Sequence, residues 1–418
     1  MKKLLSLVLA VAMLLVCGSA LADMSVATTA AEIELTGDPT AIKVGVILVG
    51  DENEGYTWAH MEGIKIAAAN LGMDEASQIS WKYRVAEDAT CYDACADLAD
   101  AGCNVIFTNS YGHQTYAQQA AVDFPEVQFV SMTGDTANAA NLDNFSNAFT
   151  KVYESRYVAG VVAGMKLAEL DAAGALKPEN YDEDGKVRIG YVGAYPYAEV
   201  VSGYTAFFLG IKSVYENISM DVTYTNTWFD ITAEYEAANA LMSTGCVIIG
   251  QHADSTGAPS AVQTAMNNGG IAQSVGYNVD MLSVAPQAAL TSATNTWAVY
   301  YEYALKTVIN GEKIAKNWAA GYAQDAVAIT ELGESCAEGT AEKVEEVIAG
   351  LKDGSIKVFD IDTFTVGGEK VEQAFATDTD GDFAPDADEA IIDGQFMESY
   401  YQSAPCFALR IDGIEELN

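Results

Sequence analysis

The sequence has little positive charge. Its 418 residues include 21 Lys and Arg against 59 Asp and Glu, which gives a formal net charge of −38 at pH 7. Proteins that bind nucleic acid need clustered lysine and arginine to replace the counterions of the phosphates, and adhesion to anionic lipid needs the same charge. The composition therefore excludes nucleic acid as a partner and is typical of a soluble protein kept dispersed by self-repulsion.

The chain also lacks the short motifs of common enzymes and metal sites. It has no nucleophile elbow, no phosphate-binding GxGxxG and no paired-carboxylate motif. The cysteines form no CxxC pair, so Cys91, Cys95 and Cys103 lack the usual spacing of zinc ligands. We therefore expect no enzyme activity. Six cysteines remain after the expected processing, an even number that permits disulfides without fixing their pairing.

A membrane span is missing as well, because no run after residue 22 is long and apolar enough. Residues 1–22 combine a basic start, a short apolar run and an A-x-A cleavage signal, which predicts a signal peptide. We expect an exported protein, periplasmic or extracellular at the cell surface, with a flexible leader over residues 23–41. The alternative is a lipobox ending at Cys17, which would anchor the chain to lipid. Val16 is larger than the residue normally found before a lipidated cysteine, so the A-x-A cut is favoured.

Short β-rich runs alternate with segments of helical periodicity. Examples of the runs are KVGVILV, CNVIFTN, VRIGYVG and CVIIGQH, and one helical segment is YESRYVAGVVAGMKLAEL. This alternation predicts an α/β fold with parallel sheets covered by helices on both faces. GIKIAA and AGCNVIFTNSYG are followed by similar segments, GIKSVY and TGCVIIGQHADSTG, 147 and 143 residues later. Such a repeat favours two similar lobes.

Aromatic and amide side chains follow the predicted strands directly. Ligands of open parallel sheets bind beyond the carboxyl ends of the strands, and all three histidines of the chain fall there. Flat apolar walls with a few directed hydrogen-bonding groups suit a small planar ligand. The candidate ligand-binding residues are Tyr56, Trp58, Asn109, Ser110, Tyr111, Trp228, Asp230, Asp254, Asn278 and Asp280.

Several of these positions also suit roles other than binding a planar ligand. Asp230 precedes a helical segment and is equally typical of a helix cap, and a lone aromatic after a strand often packs onto a helix. His60, His113, His252 and Asp254 could instead converge on a metal, although a metal does not need aromatic walls. A hydrolase or nucleosidase whose acidic loops position a water is the remaining alternative.

These segments resemble the basic membrane protein family of ABC-transporter solute-binding proteins, which includes the purine nucleoside receptors. The resemblance covers roughly residues 42–311 and lies in KVGVILVG, VIFTNSYG, FPEVQFV, YESRYVAGVVAGM, VRIGYVG, GCVIIGQHADSTG, VGYNVD and ALTSATNTW. It implies a type I periplasmic-binding-protein fold, in which two Rossmann-like lobes joined by three crossovers close on a ligand. It also implies a monomer that delivers its ligand to an ABC permease and its ATPase.

The resemblance also implies a division of the chain. Lobe one would comprise residues 42–152 plus 276–310, and lobe two residues 153–275 plus 311–368. Residues 369–418 would form a C-terminal extension packing on the lobes.

Members of this family that bind nucleosides stack the base between aromatics of opposite lobes. By position, Tyr56 or its neighbour Trp58 would stack from lobe one and Trp228 from lobe two. Asn109 and Ser110 would lie at the edge of the base.

Two departures from the nucleoside receptors concern the ribose. Those receptors carry an acidic residue where this chain has Asn278 and a lysine where it has Asn295, and these groups grip the ribose hydroxyls. Two amides favour a free nucleobase, most plausibly a purine, with a nucleoside as the alternative. Asp254 could pair with an exocyclic amine, because a carboxylate left unpaired in a closed cleft would be costly.

The acidic segment ATDTDGDFAPDADEA lies near the C-terminus. Asp378, Asp380 and Asp382, with Gly381 for the turn, could wrap a calcium ion. Glycine falls at position 4 rather than 6 of the EF-hand pattern, so a solvated acidic loop is the favoured interpretation. We expect no other cofactor.

Overall fold

The computed structural model of the protein describes residues 33–380 and 384–418. The predicted signal peptide, the lipobox with Cys17 and most of the leader fall in residues 1–32, outside the described part. Within the described part, no helix combines the length and the apolar character that a bilayer crossing requires.

The first lobe contains a six-stranded parallel sheet. Its strands are β1 (Val44–Ile47), β2 (Ile79–Lys82), β3 (Val105–Thr108), β4 (Gln128–Met132), β5 (Phe145–Thr150) and β11 (Asn317–Ala320). The spatial order is β11-β5-β4-β3-β1-β2. All strands except β2 are buried along their whole length, as expected of parallel strands covered on both faces.

Helices cover both faces of this sheet. They are α1 (Gly55–Asn70), α2 (Glu75–Gln78), α3 (Ala89–Asp100), α4 (Gln114–Asp123), α5 (Ala137–Ala140) and α10 (Trp297–Ile309). Helices α1 and α10 pack together in the hydrophobic cluster of one face. Helices α3 and α4 pack in the cluster of the other face.

The second lobe contains a seven-stranded sheet. Its strands are β6 (Val187–Gly193), β7 (Ile218–Tyr224), β8 (Ile248–Gln251), β9 (Gln273–Tyr277), β10 (Ala289–Asn295), β12 (Val327–Ile329) and β17 (Ile414–Glu416). The order is β12-β10-β9-β8-β6-β7-β17, and only β12 is antiparallel to its neighbour. The predicted α/β fold with parallel sheets is therefore confirmed.

Five helices belong to this lobe. They are α6 (Val152–Ala172), α7 (Ala198–Lys212), α8 (Ile231–Ser243), α9 (Gly257–Asn267) and α11 (Thr340–Asp353). Helices α6 and α7 pack face to face because glycines line their contact. A Cβ added at Gly160 would overlap the carbonyl of Phe207, and one added at Gly210 would overlap the carbonyl of Tyr157.

The chain passes between the lobes three times, as the resemblance implied. The passages lie between β5 and α6, between β10 and α10, and between β11 and β12. The predicted lobe boundaries differ from this arrangement. Strand β10 lies within residues 276–310, predicted for lobe one, but pairs in the second sheet, whereas β11 lies in the range predicted for lobe two but pairs in the first. The chain returns to lobe one only after β10, whereas the prediction placed this return within β9. A local sequence pattern does not reveal which strand will pair with which.

Residues 369–418 pack mainly on lobe two. They form two short hairpins, β13 (Phe375–Thr377) with β14 (Ala387–Glu389) and β15 (Ile391–Ile392) with β16 (Gln395–Phe396), before β17 joins β7. Phe407 stacks on Phe359 of lobe two with ring centroids 4.3 Å apart. The extension also reaches lobe one, because Nδ2 of Asn138 donates to the carbonyl of Tyr401 at 2.9 Å.

The six cysteines of the described part are free thiols, and all but Cys336 are buried. Burial raises the pKa of Cys103 and Cys246, so both are unreactive core residues.

Candidate ligand-binding site

A cleft lies between the lobes at the carboxyl ends of β1, β3, β4, β6, β7, β8 and β9. Its empty volume is about 360 Å³, including its open mouth. The lining residues are Val49, Glu54, Tyr56, Asn109, Ser110, Tyr111, Thr133, Glu199, Trp228, His252, Asp254 and Tyr277.

Tyr56 reaches the cleft from the first turn of α1. Its ring meets the ring of His60 edge-on, with centroids 4.5 Å apart, and His60 stacks on Trp297 at 4.2 Å. Nδ1 of His60 lies 2.7 Å from the hydroxyl of Tyr301. These contacts hold the imidazole in place, and it supports the ring of Tyr56. Trp58 lies on the outer side of the same helix and is 42% exposed. Of the two predicted stacking residues, only Tyr56 therefore faces the cleft.

Trp228 lines the cleft from lobe two, in the loop between β7 and α8. Its ring packs edge-on against Tyr195 at 5.0 Å, and Tyr195 stacks on Tyr197 at 5.0 Å with 10° between the planes. The carbonyl of Trp228 accepts the backbone N–H of Asp254 at 2.8 Å. The rings of Tyr195 and Tyr197 and one backbone hydrogen bond thus hold Trp228 in position at the wall of the cleft.

The exit of β3 supplies two predicted site residues, Asn109 and Ser110, that also donate hydrogen bonds within the protein. Nδ2 of Asn109 donates to the hydroxyl of Thr57 at 3.2 Å. The hydroxyl of Ser110 donates to Glu87 at 2.6 Å. One amide hydrogen of Asn109 and the hydroxyl hydrogen of Ser110 therefore point into the protein, while the second amide hydrogen of Asn109 is not used in these bonds.

Tyr111 and Thr133 border a larger outer space. The hydroxyl of Tyr111 donates to Asp135 at 2.9 Å. Beyond Tyr111, Thr133 and Glu199 the cleft opens into a space of about 2760 Å³, which includes open solvent and is bounded by the C-terminal extension.

Asp254 is a buried carboxyl group of the cleft. Its Oδ1 accepts Nδ2 of Asn278 at 2.7 Å, and Oδ1 of Asn278 accepts Nδ2 of Asn295 at 3.3 Å. Oδ1 of Asn295 accepts the hydroxyl of Thr150 at the end of β5. We call these four side chains the amide relay. Burial raises the pKa of Asp254, and the neighbouring carboxyl of Glu54 raises it further.

Asn278 and Asn295 belong to the amide relay and not to the lining of the cleft. The sequence predicts that Asn278 contacts the ligand, but it lies behind Asp254 and, like Asn295, does not line the cleft. Asn278 instead orients Asp254, which does line the cleft.

Asp230 and Asp280 are also outside the cleft, contrary to prediction. Asp230 is the N-cap of α8, and its Oδ1 accepts the N–H groups of Thr232 and Ala233 at 2.9 Å. Asp280 is exposed and accepts the N–H of Leu282 at 2.8 Å. Both carboxylates are engaged in local turns, the usual use of aspartate after a strand.

The ligand-binding candidates from the sequence did not include several lining residues, above all Glu54, Glu199 and Tyr277, and His252 was considered there only as a metal ligand. Glu54 belongs to the acidic segment after β1, and Glu199 follows the tyrosines after β6. Nε2 of His252 lies 3.1 Å from Oε1 of Glu199. Burial lowers the pKa of His252 to about 4. The same effect raises the pKa of Glu54 to about 7, although the hydroxyl of Thr57 donates to it.

The histidines do not converge on a metal. His60 is enclosed by aromatics, and Nε2 of His113 lies 3.0 Å from the carbonyl of Val85. Within residues 33–380 and 384–418, no group of three His, Cys, Asp or Glu side chains could hold a metal ion. Of the calcium candidates, Asp382 lies outside the described residues.

Two α/β lobes, three crossovers and an interlobe cleft define the type I periplasmic-binding-protein fold. A solved ABC transporter solute-binding protein from Aeropyrum pernix K1 shares this fold with a TM-score of 0.61. At 17% identity, the match covers 76% of this chain and 92% of that chain. The family model described as ABC transporter substrate-binding protein PnrA-like (Bmp) matches residues 41–360. The chain therefore belongs to the Bmp family, as its resemblance predicted.

Two relatives have names that specify a ligand. The purine-binding protein of Brucella abortus (strain 2308) is 31% identical over 319 residues, which are 76% of this chain and 83% of that protein. A Haloferax volcanii protein named as a putative ABC transporter glucose-binding protein is 29% identical over 329 residues, 76% of this chain and 75% of that protein. The family consists of substrate-binding proteins, which confirms the prediction that the chain is not an enzyme.

Glu54 generates a pH-dependent prediction. Because its folded-state pKa is about 7, the folded protein holds a proton that the unfolded chain, with a glutamate pKa of about 4.3, has lost. The free energy of unfolding therefore falls as pH rises through this window. Glu54→Gln removes the effect, so its stability relative to the wild type should increase by about 1–3 kcal/mol from pH 5 to pH 8.

Urea unfolding at a series of pH values measures this difference. Glu62→Gln is the control, since Glu62 lies on the outer face of α1 with a side chain 39% exposed. The control should show no trend with pH. A Glu54→Gln difference that stays flat or declines with pH would contradict the assignment.

Proposed function

We propose that this chain is the binding component of an ABC importer that captures a purine nucleobase between its lobes. It hands the base to a permease and its ATPase, and it acts as a monomer with one ligand per chain. The residues that hold the base are Tyr56, Trp228 and Asp254, within walls formed by Asn109, Ser110 and Tyr111. Export through the N-terminal signal peptide, with lipidation of Cys17 as the alternative, belongs to the same proposal.

One observation carries the proposal. Tyr56 of lobe one and Trp228 of lobe two line the same cleft, with the carboxyl group of Asp254 beside them. A purine has two flat faces and N–H groups on its edges, and base–aromatic stacking contributes about 1–3 kcal/mol per base. The purine-binding relative from Brucella abortus supports the same ligand class.

The amide relay favours a free base over a nucleoside. Asn278 and Asn295 occupy the positions that grip ribose in nucleoside receptors, and here they bond to each other and to Asp254. Neither side chain lines the cleft.

A nucleoside is the second candidate, and one observation favours it. Tyr111, Thr133 and Glu199 border both the inner cleft and the larger outer space, so a substituent on the base would have room there.

Calorimetric titration with adenine, guanine, hypoxanthine, their nucleosides, uracil and glucose tests the proposal. We expect a purine base to bind in a one-to-one ratio. At about 100 times its dissociation constant, it should stabilise the fold by about 2.7 kcal/mol. Binding of nucleosides without free bases would contradict the nucleobase assignment, and binding of glucose alone would contradict the ligand class.

The two tryptophans after strands offer a matched test of stacking. Trp228→Ala should weaken base binding by about 10- to 100-fold, because a stacking face worth about 1–3 kcal/mol is lost. Trp58→Ala removes an equally large ring from the surface of α1 and should change affinity by less than about 2-fold. Equal effects of the two substitutions, measured by titration, would refute the role of Trp228.

A further inference from the structure

Carboxyl groups face the cleft from both lobes. Three carboxyl groups line it, those of Glu54 from lobe one and of Glu199 and Asp254 from lobe two. No lysine or arginine is among its described lining residues. The nearest buried cation, Arg156, lies behind this wall, where its guanidinium covers the ring of Tyr277 at 3.5 Å. No cationic side chain among the described lining residues therefore offsets these carboxyl groups where they face a ligand.

Most side-chain donors of the lining are used within the protein. Asn109, Ser110 and Tyr111 donate to protein oxygens. The hydroxyl of Thr133 donates to the carbonyl of Met132 at 2.5 Å. The hydroxyls of Tyr56 and Tyr277, the ring N–H of Trp228 and the second amide hydrogen of Asn109 remain as donors. The edges of a ligand that face the carboxyl groups meet acceptors.

Glu54 and Asp254 come from chain segments that touch across the lobes. The N–H of Gly55, next to Glu54, donates to the carbonyl of Asp254 at 3.3 Å. Glu54 is 6% exposed and folds back over Gly50, and Asp254 is also 6% exposed. Bringing the lobes together thus buries two carboxyl groups beside each other, one from each lobe.

Such a pair is costly unless hydrogen-bond donors or a cation meet it. Burying an ionised carboxylate without a partner costs several kcal/mol. The protein offers the hydroxyl of Thr57 to Glu54 and the amide of Asn278 to Asp254. Each carboxyl group can accept more hydrogen bonds than one, and N–H groups of the ligand would supply them. A carbonyl or an anionic group at the same place would add repulsion.

We propose that Glu54 and Asp254 are specificity-determining residues that select amino-substituted or protonated heteroaromatic bases over their oxo isosteres and over anions. This inference rests on the proposed function, because it assumes that a planar base occupies the cleft. It adds a prediction that stacking alone does not make, since stacking does not distinguish an amino from an oxo group.

Two pairs of nearly isosteric purines test the inference. Adenine and hypoxanthine differ by an amino or oxo group at position 6, and guanine and xanthine by an amino or oxo group at position 2. Titration should show a preference of about 10-fold or more for the amino member in at least one pair, the effect of one hydrogen bond to a charged group. A smaller preference in both pairs would overturn the inference, even if purines bind. Absence of binding by all four bases would contradict the proposed function instead.

Substitutions then identify the responsible groups. Glu54→Gln and Asp254→Asn keep the side-chain shape but place an amide where a carboxyl was. We expect at least one of them to reduce the preference to less than about 3-fold, with unfolding measured in parallel to verify the fold. The matched controls Glu62→Gln and Asp280→Asn remove a carboxylate nearby in sequence but outside the cleft, and should retain the preference. Full preference in both cleft variants would overturn the assignment.

Discussion

A carboxyl group cannot be buried between two lobes unless donors surround it, and the site is organised by this requirement. The amide relay meets it for Asp254 on the protein side, since Asn278 holds Oδ1 of Asp254 and is itself held by Asn295. Asn295 ends β10 and Thr150 ends β5, the strands that lead into two of the three crossovers. The group that we propose for ligand recognition is thus tied to the segments about which the lobes would move.

The aromatic walls are held in place by other aromatic rings. Tyr56 rests on His60 and Trp228 on Tyr195. Packed neighbours fix the rotamer of a stacking residue before the ligand arrives, which lowers the entropic cost of binding. The buried, neutral imidazole of His60 therefore has a structural role that its position after a strand does not reveal.

The local sequence pattern was sufficient to predict the architecture and half of the residues that line the cleft. Alternating periodicities predicted the α/β lobes, and the rule about strand ends located Tyr56, Asn109, Ser110, Tyr111, Trp228 and Asp254 in the cleft. The exchange of β10 and β11 between lobes could not be predicted, because strand partners are set by long-range packing. Tyr56 and Trp58 could be separated only once α1 was known to begin at Gly55, which puts Tyr56 and His60 on one helical face. The predictions for Asp230 and Asp280 were wrong because a carboxylate after a strand serves a cap or a turn equally well.

A crystal structure of the mature chain grown with adenine tests the central claim most directly. We expect the base between Tyr56 and Trp228, with an N–H group within hydrogen-bonding distance of Asp254 and the amide relay intact. A base bound in the outer space, or one whose N–H groups face away from Asp254 while Trp228 contacts nothing, would contradict it.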